Sequence, residues 1–400
     1  MKTEHPISLW RRAVLAGAAF TIATAAWLPA AHFFFRPKQA AYHADAGIAP
    51  MARQLAARHL DLWENPDARQ REIARMRTSN AEWDFMGRTY LVLALCEMSL
   101  REPANQPRYL AVADQILDET LRLERDKGMY FFLMDYSHAS PWVAKPARSI
   151  FIDGEIALML AARQKVAPST KYAPQLAERV NAVVAQMQQG PVMCAESYPD
   201  ECWMFCNTLA VSAVTISDQV DGRDHSPFIA RWLDTVKHRL VDEKSGMLVS
   251  SFNYNGTPMD GPEGSSIWMI AHCLKIIDPA FAEQQYRLAR AQLARNLLGF
   301  GYAREWPETW KGPADVDSGP IVPGLEASAG ASGLAILGAA SFGDDQYLGQ
   351  LLTSLDFAGF PTREKDTLRY GASNQVGDAV LLYALVQGPM WDHVWKETRP

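Results

Sequence analysis

From about residue 45 onward, apolar side chains recur at the i, i+3, i+4 spacing of helices, and no convincing run of strict alternation marks a strand. The spacing predicts helices near 48–62, 83–99, 108–124, 149–164, 173–188 and 206–220. It predicts six more near 228–240, 265–277, 281–297, 327–341, 344–356 and 373–387. Two kinds of segment alternate. Leu91–Leu95 with its flanks, Ile156–Ala162, Thr208–Val214, Ile267–Leu274, Ala327–Ala340 and Asp378–Val386 are small or apolar on most faces. A helix apolar all round is a buried helix. The segments between them, such as 177–187 and 287–297, carry charge on one side and read as an outer layer. Buried helices begin near 83, 149, 206, 265, 327 and 373, repeating the architecture without repeating the sequence. Six inner helices alternating with six outer ones describe an all-α (α/α)6 toroid. An open solenoid, the alternative, needs only one concave face and not six fully buried helices.

The first forty residues are of another kind. Residues 13–35 contain no Asp, Glu, Lys or Arg, and twenty-three helical residues span a hydrocarbon layer of roughly 30 Å. Arg11 and Arg12 precede the run, and Arg36 and Lys38 follow it. Residues 1–40 are therefore expected to be a signal or transmembrane segment. It is either an uncleaved anchor or a cleavable signal with small-residue sites such as Ala23-Thr24-Ala25. The toroid domain, 45–400, is then expected on the periplasmic or outer side, anchored to the inner membrane or exported.

Composition narrows the partners. Apolar residues make up 48% and charged residues 21%, which excludes global disorder. Lys and Arg number 39 against 45 Asp and Glu, a net charge of −6, and this argues against nucleic acid. A small-molecule substrate is expected, with homo-oligomerisation left open. Twelve Trp, 13 Tyr and 16 Phe suit a pocket for apolar or sugar-like ligands, although large cores collect aromatics too. Five cysteines leave at least one thiol unpaired. Cys202 and Cys206 lack the second pair a zinc site needs. No phosphate loop, Gly-x-Ser-x-Gly elbow or His-Glu-x-x-His is present, and neither metal nor organic cofactor is expected.

Long loops precede most inner helices, at 125–148, 189–205, 241–264, 298–326 and 358–372. They should ring one pocket at the helix N-termini. In 189–207, Ser197, Tyr198, Asp200, Cys202, Trp203, Cys206 and Asn207 crowd together. A thiol at a helix start has a lowered pKa, so Cys206 reads as an acid/base or nucleophile, or else as a small filler. In 298–326, Trp306 precedes Asp315 and Asp317, which are either paired carboxylates or turn formers. Trp83 and Asp84 open the first inner helix, and Phe151, Asp153 and Glu155 the second. A carboxylate in an otherwise apolar helix must face a polar cavity or pair with a base. Glu155 is therefore the candidate acid, with Arg148 and Arg88 as alternative salt-bridge partners.

Several of these residues carry a family likeness. Pro199-Asp200, Cys206-Asn207, Ala230-Arg231-Trp232-Leu233-Asp234, Asp278-Pro279-Ala280-Phe281, Gly343-Asp344-Asp345-Gln346 and Leu368-Arg369-Tyr370 resemble, in order, the bacterial linalool dehydratase/isomerase family. The resemblance runs from about residue 50 to 387. It implies an (α/α)6 barrel whose members hydrate, dehydrate and isomerise monoterpene alcohols by acid/base chemistry without a cofactor. It implies active-site roles for Asp61 and Cys206. A second family cysteine falls at Ser197, the family histidine at Glu155, and a family tyrosine near Ser265. The scaffold and reaction class carry over more directly than linalool itself. A second class fits the same pattern: a glycan hydrolase or lyase using Glu155 and Asp317, with Trp203, Trp306 and Trp310 as sugar platforms. A non-catalytic barrel is the third.

Overall fold

The computed structural model describes residues 8–313 and 318–397. In chain order its helices are α1 Leu9–Ala30, the single turn α2 Gln39–Tyr42, α3 Pro50–Glu64, α4 Pro66–Arg77, α5 Ala81–Arg101, α6 Gln106–Lys127, α7 Ile150–Val166 and α8 Ala173–Gln189. They continue as α9 Met204–Asp221, α10 Ser226–Arg239, α11 Gly264–Ile277, α12 Pro279–Gln292, α13 Ala329–Ser341, α14 Asp345–Ala358, α15 Gln375–Val386 and α16 Pro389–Glu397. Helices α5, α7, α9, α11, α13 and α15 each pack on the next, and α15 returns to α5. That closed ring is the inner barrel of an (α/α)6 toroid. Helices α6, α8, α12, α14 and α3 pack outside it, and α10 joins the core through Phe228, Trp232 and Val236.

The closest pairing in the ring, α7 on α9, is set by Gly154. A Cβ there would lie 2.9 Å from the Ala210 side chain and 3.3 Å from the Cys206 carbonyl oxygen. Glycine lets the two backbones meet. At the end of the barrel where the inner helices finish, α16 packs across α5, α7, α9 and α11. Glu97 of α5 accepts hydrogen bonds from the Gly388 and Met390 amides at 3.2 and 2.9 Å and so caps α16. Burial raises this carboxyl to about 7.

The opposite pole, where the inner helices start, carries the long loops and three small antiparallel sheets. Strands β1 Cys202–Trp203, β2 Ser251–Phe252 and β3 Pro258–Asp260 pair in that order, with Cys202 opposite Phe252 and Trp203 opposite Ser251. Strands β4 Ala294–Leu297, β5 Phe300–Arg304, β6 Ile321–Val322 and β7 Ala327–Ser328 form a second sheet, and β8 Pro361–Glu364 with β9 Thr367–Tyr370 a hairpin.

The twelve predicted helices all exist. Residues 294–297, predicted as the end of a helix, instead form β4, because the chain turns back between Leu297 and Phe300 and pairs with β5. Helix α4 was not predicted. Its sequence is rich in charge, with only Ile73 and Met76 reaching the core, and it is held by Arg69 to the Trp63 carbonyl at 3.0 Å, by Arg77 to Asp84, and by an Asn65 N-cap. Helix α1 is 22 residues long, apolar and without a buried residue.

Candidate active site

The start of α9 is fixed before any chemistry is considered. Residues 202–203 pair with β2, and Asn207 locks the loop to the helix. Its side chain accepts from the Ala195 amide at 2.8 Å and donates to the Ala195 and Trp203 carbonyls at 3.0 and 2.9 Å. This anchorage aims Cys206 inward, where its thiol is hydrogen-bonded with Ser197. The start of α5 is capped by Asn80, whose side chain accepts from the Glu82 amide at 2.7 Å. That places Glu82 at the pole, where it accepts a hydrogen bond from the Tyr198 hydroxyl.

These groups begin a polar column along the barrel axis. Tyr198 and Glu82 stand at the top, Cys206 and Ser197 beneath them. Next comes Glu155 of α7, whose Oε2 accepts from the Thr89 hydroxyl at 2.5 Å. Deeper still are Tyr90 and Cys273, then Tyr383 and His272, linked at 2.7 Å above α16. The column is closed to solvent: Glu155 is 1% exposed, Tyr90 2% and Cys206 7%.

Burial decides the charge states. Desolvation pushes the Glu155 carboxyl up to about 8, opposed by Thr89 and assisted by the negative charge of Glu82. It is a neutral acid at pH 7. Desolvation likewise lifts the Cys206 thiol well above its usual value, with Glu155, Glu82 and Glu201 adding to the rise. The lowered pKa expected from the helix N-terminus is overturned. A helix dipole contributes about 0.3–2 kcal/mol, less than the cost of an ion in a dry, acidic surrounding. Tyr90 is raised by the same burial and by Glu155, and its buried hydroxyl finds no hydrogen-bond partner among the described residues.

The other candidate residues separate clearly. Asp61 is exposed on α3, where its charge acts on Arg108, so it is not part of the column. Asp200 is exposed in a left-handed turn, φ 56°, where it accepts from the Tyr254 amide at 3.0 Å. It shapes a loop. Asp84 is buried between Arg77 and Arg88 at 3.1 and 2.8 Å. Asp153 is held by Arg148 and Arg179. Arg148 and Arg88 therefore pair with these aspartates and not with Glu155. Asn207, as above, is a structural clamp. Phe151 is buried edge-on against Phe85, with ring centroids 5.2 Å apart. Cys202 is buried in β1. Half-buried Trp203 donates its ring N–H to Glu201. Trp83 is half-buried near the pole. Ser265 donates to Glu305, and the half-buried Trp306 has a ring N–H with no partner among the described residues. Asp315 and Asp317 lie outside the described residues.

Sequence reasoning passed over Glu305, whose buried carboxylate gathers the Ser265 amide at 2.9 Å and the Ser265, Ser318 and Ser328 hydroxyls. It ties Ser318, and Ser328 at the start of α13, to Ser265 at the start of α11. Thr89, Tyr90 and Cys273 were passed over as well. The signal was available: they are polar groups inside helices apolar all round, the argument that selected Glu155. Glu196 is another structural carboxylate, accepting from the amides of Val143, Ala144 and Asp200 at 2.7–3.0 Å. Among the described residues no three of His, Cys, Asp and Glu are grouped to hold a metal ion.

A sequence model of the linalool dehydratase/isomerase family matches residues 153–376. The chain belongs to that family. The matched region begins at the inner helix carrying Glu155 and includes Cys206 and Cys273, while α3 with Asp61 and α5 with Thr89 and Tyr90 lie outside it. Among solved structures, a UGL variant with the ligand dGlcA-Glc-Rha-Glc is similar at 13% identity, over 84% of this chain and 94% of that one, with a TM-score of 0.52. The unsaturated glucuronyl hydrolase of Bacillus sp. GL1 is similar at 14% identity, over 77% of this chain and 86% of that one, with a TM-score of 0.49. At such identities the first of these likenesses speaks for the toroid alone.

Proposed function

We propose that this family member is a hydro-lyase or isomerase of an apolar, isoprenoid-like alcohol, with Glu155 as its acid. The observation that carries the reading is a buried, neutral carboxyl of pKa about 8, set among neutral hydroxyl and thiol groups. An acid near the working pH is what general-acid catalysis requires. Glu155 gives its proton to the substrate hydroxyl, the C–O bond breaks and water leaves. The carboxylate left behind takes a proton from the adjacent carbon as the double bond forms, so Glu155 ends protonated. Return of water at the other end of an allylic cation gives isomerisation. Cys206 and Tyr90, both neutral, orient the hydroxyl and do not act as resting bases. Helix α1 is read as the anchor that keeps the barrel on the periplasmic face of the inner membrane.

A second reading, a non-catalytic barrel, is favoured by the closed column, since a filled centre needs no substrate. One experiment separates them: full-length protein in detergent is offered short isoprenoid alcohols and, in parallel, oligosaccharides. Alcohol turnover lost in Glu155→Gln, weakened in Tyr90→Phe and unchanged in Asp61→Asn is the expected result. Turnover unaffected by Glu155→Gln refutes the role of the acid. No turnover of either class leaves the scaffold, and glycan cleavage that survives Cys206→Ala transfers the chemistry to the pole carboxylates.

A further inference from the structure

We propose that the rim of the barrel around the β4–β5 hairpin is itself a membrane-contacting surface, seating the site-bearing pole against the bilayer that α1 enters. The inference rests on reading α1 as a retained anchor and is independent of the chemistry assigned to Glu155.

The contact between α1 and the barrel is specific. Leu298, at the hairpin tip, shares one depression with Phe20, Thr21, Thr24, Ala25, Leu28 and Pro29 of α1. A Cβ on the neighbouring Gly299 would fall 2.3 Å from the His32 ring, so the turn fits only as glycine, at φ 92°. Phe35 then packs on Phe357 of α14 and Phe300 of β5, with centroids 4.9 and 6.2 Å away. The α1 residues of that depression lie one to ten residues inside the end of α1, with Thr24 and Ala25 at their middle. At 1.5 Å per residue that middle, opposite Leu298, is roughly 8–9 Å below the level where α1 ends. If α1 crosses a bilayer, the tip beside it must lie in the same layer, at the depth of interfacially bound helices, roughly 5–10 Å.

The surroundings have the composition of that layer. Phe33, Phe34, Leu297, Phe357 and Phe360 are 64%, 75%, 46%, 54% and 69% exposed, an apolar belt that water does not favour. Arg36 and Lys38, exposed just beyond it, suit anionic headgroups. Phe357 is in the last turn of α14, the end from which the chain passes to the start of inner helix α15. Seating this rim on lipid turns the pole with Glu82, Tyr198 and Cys206 toward the bilayer, where an apolar alcohol partitions.

The test uses the full chain in phosphatidylethanolamine/phosphatidylglycerol vesicles, with nitroxide labels at Leu298→Cys, Phe360→Cys and, as reference, Arg287→Cys on the exposed face of α12. The five native cysteines are buried, and unsubstituted protein carried through labelling gives the background. Collision with oxygen severalfold higher, relative to a water-soluble nickel complex, at 298 and 360 than at 287 is the expected result. Nickel access at 298 equal to that at 287 overturns the proposal. So does a second copy covering the face, seen as low access to both reagents with dipolar broadening between labels. A mature N-terminus beyond residue 30, read by mass spectrometry, overturns it as well. Failure of alcohol turnover leaves all these readings intact.

Discussion

Replacing Glu155 by Gln isolates the cost of keeping one carboxyl in the barrel. In the folded chain this group titrates near 8, against an ordinary value of 4.5, and the largest cause is burial. A folded pKa above the unfolded one means that, between pH 4.5 and 8, the unfolded chain holds fewer protons than the folded one. Stability then falls as pH rises through that window, and it is flat with respect to this group below 4.5 and above 8. The rise of 3.5 at 1.36 kcal/mol per unit is about 5 kcal/mol at pH 9. For about 350 folded residues that corresponds to roughly 7 °C in Tm. The substituted amide never ionises and still offers a carbonyl to Thr89. The variant should match the wild type near pH 4 and exceed it increasingly from pH 5 to 8, the difference then holding to pH 9. Denaturant midpoints of both proteins from pH 4 to 9 measure the difference. Glu97 and Asp378, each raised to about 7, give slopes of the same sign but cancel in the comparison. Parallel curves would refute the reasoning, since they would mean that Glu155 meets water or a cation inside the barrel.

Three further outcomes follow from the same geometry. Gly154→Ala forces a methyl against Ala210 at 2.9 Å, and overpacking of the α7–α9 contact should lower stability by about 1–3 kcal/mol in chemical denaturation. Arg88→Met strands Asp84 beside Arg77 alone and breaks the 3.0 Å contact to Glu119, so urea unfolding should show a loss of about 3–5 kcal/mol. Asp61→Asn, on an exposed position, should change stability by no more than about 0.5 kcal/mol; a larger loss in the same urea titration would contradict its placement.

The ring of six inner helices was legible because burial on all faces leaves its mark on composition: 264–277 and 329–341 hold no acid and a single Lys. The outer layer was legible from its one-sided charge. What escaped was set by tertiary contacts. Helix α4 offers the core only Ile73 and Met76 and leans on Arg–carboxylate and cation–π partners, and β4 replaces a helical end because β5 offers it a strand. For the site, Glu155 stood out as an acid in an apolar helix, and the same rule applied to hydroxyls would have found Thr89 and Tyr90. Asp61, Asp84 and Asp200 could not be told from Glu155 by type alone. What separates them is exposure for two and arginines for the third, and neither is written at their positions.

The column's charge state also bears on which substrates the barrel can accept. Glu82, Glu196, Glu201, Glu263 and Glu305 all belong to the pole. Of these, Glu82 helps to hold both Glu155 and Cys206 in protonated form, and Glu201 adds to the effect on the thiol. A substrate carrying its own carboxylate would add a further negative charge to a buried acidic column and bring no cation to offset it, a cost of several kcal/mol per uncompensated ion. A neutral alcohol adds none. It needs only one proton donor and partners for its hydroxyl, the roles proposed above for Glu155, Tyr90 and Cys206. Where the resemblance sets a histidine, a residue type with an ordinary pKa near 6.5, this chain has a carboxyl raised to about 8. The group remains an acid at pH 7, but it is uncharged when loaded, so this position carries no charge until the proton moves. On this account placing a positive charge beside Glu155, and not removing the thiol, is the change that would most deplete the acid. Thr89→Lys, with an ammonium beside Glu155, should drop its pKa below 7 and end turnover at neutral pH while leaving activity measurable below the new pKa. An unchanged pH–rate profile in that variant would show that Glu155 is not the titrating acid.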